Sequence, residues 1–120
     1  MNKLPYNYAE VIEREVLIDT IRSRNDTKRI VYRISTADIN PEEEIMREIC
    51  NHLIKNEDED TNAMSFFFWR EDMPIGMVAA LASFTYAPGG SWWNVTGNEP
   101  MELVLDFDYY NGGEPCVTSE

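Results

Sequence analysis

Three carboxylate arrangements and a lone histidine are the residues of this 120-residue chain whose types and spacing invite chemistry. His52 is the single histidine, so histidine-rich metal sites are excluded and a Ser-His-Asp relay would have to use it. It follows Glu48 by one helical turn, and a Glu–His pair at that spacing is expected as surface decoration. Asp58, Asp60 and Asn62 place oxygen ligands at alternate positions, as a calcium loop opens. The position that needs glycine is Ala63, and the one that needs a bidentate glutamate is Trp69. The motif fails.

Asp106 and Asp108 share one face of a predicted strand with Glu102, where paired carboxylates could exchange a proton. Alternation alone gives the same pattern on a solvated face, and that is the expectation here. Glycines in Pro88-Gly89-Gly90 and Asn111-Gly112-Gly113 lack phosphate-loop spacing and no lysine follows them. Asn94-Val95-Thr96 fits a glycosylation sequon, which without a secretion signal is coincidence. Cys50 and Cys116 are expected to be two free thiols, because two cysteines make no disulfide framework. Neither catalysis, a cofactor nor a metal is expected.

Aromatics and charge point instead to a surface. Trp92-Trp93 stands in a Gly/Asn-rich loop, and Tyr109-Tyr110 follows Asp106 and Asp108. Tryptophan and tyrosine dominate binding hot spots, although one tryptophan could equally cap an open sheet edge. The net charge is −12 and unevenly placed. Residues 1–40 carry +1, residues 41–60 carry −6 and residues 61–120 carry −7. Such a surface repels phosphate, so direct nucleic-acid binding is not expected; solubility alone would explain the acidity, and a basic partner fits it. The candidate partner-binding set is therefore Trp92, Trp93, Asp106, Asp108, Tyr109 and Tyr110, with the acidic run Glu57, Asp58, Glu59 and Asp60.

The elements that would position these residues read as one α+β domain spanning residues 1–120, with 111–120 a loose tail. A helix is predicted from near Asn40, with Asn40 as cap, Pro41 at the first position and Glu43 completing a capping box. Ile45, Met46, Ile49, Cys50, Leu53 and Ile54 form its apolar face, and it ends near Asn56. Residues 29–35 alternate as a half-buried strand, with Ile30, Tyr32 and Ile34 on one face and Val31, Arg33 and Ser35 on the other. Residues 10–21 suit a strand better than a helix. The run Phe66-Phe67-Phe68-Trp69 within 63–70 has apolar residues on both faces, as a central strand would. Residues 77–86 form a small-residue strand or a short helix, and a last strand runs over 101–109 with Met101, Leu103, Leu105 and Phe107 on one side. One main helix thus packs on a mainly antiparallel sheet of four to five strands.

Within residues 36–88, the helix, the aromatic strand, Asp72-Met73-Pro74-Ile75-Gly76-Met77 and Phe84 before Pro88 resemble a domain family of unknown function from small bacterial and phage proteins. Val78-Ala79-Ala80-Leu81 departs from its pattern, where an alanine with a tryptophan is typical. The resemblance implies the α/β layout and no activity. No apolar run is long enough for a membrane span and Met1 to Tyr6 has no signal-like head, so the cytoplasm is the expected compartment.

These features favour a non-enzymatic protein-binding module, an inhibitor or adaptor from a phage or mobile element. It would present carboxylates and aromatics to a basic surface of the kind that normally binds nucleic acid. The alternative is a small-ligand or enzymatic domain with a pocket between helix and aromatic strand, and Asp106, Asp108 or His52 at its mouth. A structural subunit that homodimerises through an edge strand is the third reading.

Overall fold

Alternation in the strands and a 3.6-residue period in the helix put large apolar side chains into one shared layer. The computed structural model describes residues 9–19, 27–36, 41–70, 80–92 and 99–108. In chain order they form β1 (Ala9–Asp19), β2 (Thr27–Thr36), α1 (Glu43–Lys55), β3 (Ala63–Arg70), β4 (Ala82–Pro88) and β5 (Met101–Asp108). The five strands lie in sequence order in one sheet. All neighbours are antiparallel except β2 and β3, which run parallel because α1 carries the chain back between them. The fold is α+β with a mixed, mostly antiparallel sheet, and the strand count is five. No helix among the described residues is long and apolar enough to cross a membrane.

Met46, Ile49, Cys50 and Leu53 of α1 are buried against one sheet face. That face presents Ile30, Tyr32 and Ile34 from β2, Met64, Phe66 and Phe68 from β3, and Phe84 from β4. Tyr32 and Phe66 stack with ring centroids 5.6 Å apart and planes 2° from parallel. Phe68 meets Phe84 edge-on at 5.9 Å. The first contact follows directly from register, since Tyr32 sits opposite Phe66; the second is a diagonal one, since Phe84 pairs with Phe66 and Phe68 with Ala82.

The helix begins later than its sequence suggests. Glu42, extended at φ −75° and ψ 160°, is the N-cap and makes no side-chain capping bond. Pro41 is buried rather than forming the first turn, and Asn40 lies outside the described residues. Glu43 accepts from Arg47 Nε at 2.8 Å, one turn on, instead of closing a capping box. Glu43 and Glu44 still lie at the positive end of the helix dipole.

The last strand also departs from simple alternation. Leu105 pairs with Phe84 but Phe107 pairs with Ser83, so a bulge accommodates Asp106. Beyond the bulge the side chains exchange faces. Asp108 stands opposite Ala82 on the helix side and is 5% exposed, not solvated as the alternation predicted. Of the segment 77–86, read as a strand or a short helix, residues 82–86 are strand; residues 77–79, the turn over 72–76, residues 23–26 of the polar turn and the tail at 111–120 fall outside the described residues.

At the end of β4, Gly89 and Gly90 adopt positive φ of 62° and 75°. A Cβ on Gly90 would come within 2.4 Å of Val104 Cγ2, whereas one on Gly89 would meet the Glu99 side chain at 3.5 Å. Val104 is β-branched and cannot swing aside freely. Gly90→Ala is therefore expected to cost about 2–3 kcal/mol and Gly89→Ala about 1 kcal/mol. Urea unfolding of the two variants measures this; equal losses would contradict the packing described.

Candidate functional site

The acidic run after α1 is shaped by backbone bonds at both ends. Asn56 caps the helix through its N–H to Leu53 O, and its Nδ2 donates to His52 O at 2.7 Å. Asn62 N–H donates to Lys28 O at 2.7 Å, while Lys28 N–H donates to Asn62 Oδ1 at 2.8 Å. The turn is thereby clamped to the start of β2.

Within it, Glu57 points inward and its side chain is 7% exposed. Arg14 donates to it twice, Nε to Oε1 at 3.0 Å and Nη2 to Oε2 at 2.8 Å. The Tyr32 hydroxyl donates to Oε1 at 2.5 Å and the Asp58 N–H to Oε2 at 3.0 Å. Burial alone would raise the Glu57 carboxyl, but the bonds from Arg14, Tyr32 and the Asp58 N–H outweigh it and bring it down to about 2. Burial, then the bond to Glu57, pushes the Tyr32 hydroxyl up to about 12. The same bond to Glu57 raises the Arg14 guanidinium, against the opposing effect of burial.

Asp58 and Asp60 both face Lys28 Nζ, at 2.9 and 3.3 Å. Their bonds, that from Asp58 foremost, raise the lysine pKa. An ammonium from the chain itself therefore occupies the side of the turn that resembled a calcium loop, and Asn62 is engaged with β2. No group of three His, Cys, Asp or Glu among the described residues is placed to hold a metal. Of the four run residues, Glu59 is exposed and has no ion pair among the described residues.

Beside this turn, a cleft of about 490 Å³ opens between the end of α1 and the facing ends of β4 and β5. Ile54, Tyr86 and Met101 supply apolar surface, and Asp58, Glu59 and Glu99 supply carboxylates. Lys55 contributes one cation. The combination suits a side chain with an apolar stem and a positive head.

The other sequence candidates are dispersed. Asp106 accepts from Ser83 Oγ at 3.1 Å and Thr85 Oγ1 at 2.8 Å on the sheet face away from α1. The bulge places Asp108 on the opposite face, so the two do not form a proton-exchanging pair. Trp92 is half-buried with the Arg29 guanidinium 5.4 Å from its ring centroid, a cation–π contact with β2, an inner strand of the sheet and not an open edge. Trp93, Tyr109, Tyr110 and Cys116 lie outside the described residues. His52 is half-buried on α1 and does not line the cleft. Cys50 is fully buried, and burial pushes its thiol up, which disfavours a reactive thiolate.

Between helix and aromatic strand the core is closed, with Met46, Ile49, Phe66 and Phe68 all 0% exposed. The cleft lies at the helix end instead, and neither Asp106, Asp108 nor His52 lines it. Sequence reading missed Arg14, Tyr32 and Lys28 as partners of the acidic run, for no local pattern links residues so far apart. No protein-family model, curated protein or solved structure matches the chain.

Glu57 is the group whose titration should be visible in stability. Its folded-state carboxyl lies below the ordinary 4.5, so the stabilisation is complete above that value and is lost as pH falls toward about 2. Glu57→Gln is expected to cost about 1–3 kcal/mol near neutral pH. Denaturant unfolding across that range should show the gap between variant and wild type closing with acidification. A gap independent of pH would refute the assignment.

Proposed function

We propose that this protein is a non-enzymatic binding module, an inhibitor or adaptor that presents carboxylates to a basic protein. The observation that carries this reading is the cleft at the end of α1, where Ile54, Tyr86 and Met101 are joined by Asp58, Glu59 and Glu99. A lysine or arginine of a partner could lay its stem on the apolar residues and its charge among the carboxylates.

The disposition of cations supports the same reading. Arg14, Lys28, Arg33 and Arg47 each already face a carboxylate of this chain. The negative excess is thus carried by other acidic groups, among them the exposed Glu10, Glu42, Glu44, Glu59 and Glu102. Steering of a basic partner would be strong at low salt and would fade as the ionic atmosphere tightens. Phage or mobile-element origin, and a target that ordinarily binds nucleic acid, belong to the same proposal and rest on acidity and size.

A short arginine- and lysine-containing peptide, titrated into labelled protein and followed by NMR, tests the reading. Resonances of Glu59, Tyr86 and Met101 should move, and affinity should fall about tenfold between about 20 mM and about 200 mM salt. Glu59→Lys should weaken the complex about tenfold. Absence of binding by basic peptides at the lower salt would overturn the proposal.

A further inference from the structure

β1 and β5 are the two edges of the sheet, and they are treated differently. On β5, Arg47 Nη1 donates to Leu103 O at 3.0 Å, and Leu105 and Phe107 each take part in a further interaction. On β1, the main chain bonds to β2 and, among the described residues, to nothing else. An edge strand directs every other N–H and C=O away from its one neighbour, which makes it a template for another strand. Residues 12–17 of β1 are all exposed, including Ile12 at 41%, Val16 at 38% and Leu17 at 37%.

A bulge between Val11 and Glu13 interrupts the ladder, and from Glu13 to Asp19 the pairing runs without a break. Along that stretch Glu13, Glu15 and Leu17 share the sheet face away from α1, opposite Arg33, Val31 and Arg29. Arg33 Nη1 lies 3.3 Å from Glu13 and 3.5 Å from Glu15, so one cation serves two carboxylates. On the other face, Arg14 is engaged by Glu57 and Val16 is exposed.

We propose that the outer edge of β1 at Glu13–Leu17 takes up an extended, basic segment of a partner protein as a sixth strand. Main-chain bonds supply the affinity of such an addition and alternate side chains its specificity. Lysine or arginine at alternate positions would face Glu13 and Glu15, and apolar residues on the other side would cover Val16. A second copy of this chain fits less well. Antiparallel self-pairing centred on residues 13, 14 or 15 sets Glu13 or Glu15 directly against Glu13 or Glu15 of the copy, and like charges so placed repel. The inference rests on the reading that the partner is basic, and it adds a second place of contact, apart from the cleft, and the mode of contact there.

The probe is a peptide of about ten residues alternating lysine and valine, added at about 20 mM salt, with amide exchange read residue by residue by NMR. Alternate amides across residues 13–17 should exchange at least about tenfold more slowly with peptide bound. Glu13→Lys and Glu15→Lys should each weaken binding about tenfold, while Glu44→Lys, an equal charge change on exposed α1, should alter it by no more than about twofold. Protection confined to the cleft, or equal weakening by all three substitutions, would overturn strand addition and leave the basic-partner reading standing. A dimer in light scattering whose β1 amides are already protected would overturn it in favour of self-association. No binding by this peptide or by arginine-containing ones would remove both proposals.

Discussion

The Glu57 carboxylate, held by Arg14, Tyr32 and the Asp58 N–H, fixes where the helix end, two strands and the acidic turn meet. A carboxylate with so little exposure must be met by donors, because desolvating it alone costs several kcal/mol. Arginine supplies a planar fork that matches both oxygens, which the point charge of a lysine would not reproduce. Tyr32 extends the constraint inward, since its hydroxyl is bound to Glu57 while its ring lies on Phe66. The position of the turn is therefore coupled to the register of β2 on β3.

Much of the layout was legible from local pattern. The helix face of Met46, Ile49, Cys50 and Leu53, and the central place of β3, follow from periodicity and from apolar residues on both strand faces. The start of α1 was not, because whether Pro41 opens a helix or is buried depends on what it packs against. The exchange of faces along β5 was hidden for a related reason. A bulge is decided by the neighbouring strand, and nothing in Leu105-Asp106-Phe107 announces it.

The candidate site was legible in composition and illegible in geometry. Four consecutive acidic residues look like one open patch, yet Glu57 is drawn inward by Arg14, while Asp58 and Asp60 stay exposed but share the Lys28 ammonium. Sequence counts charges, and folding decides which of them remain available to a partner. Glu59 and the cleft beside it are what that selection leaves at the helix end.

The single parallel seam between β2 and β3 divides the sheet into an antiparallel pair and an antiparallel triplet. Each part can assemble from contacts closer in sequence than those across the seam, whereas joining them requires closure of the chain through α1. Lys28 and Asn62, bonded to one another at one end of that seam, act like the first teeth of a zip fastener. The closure of longest sequence range in this sheet is accordingly the one across the seam, with α1 laid over the joint.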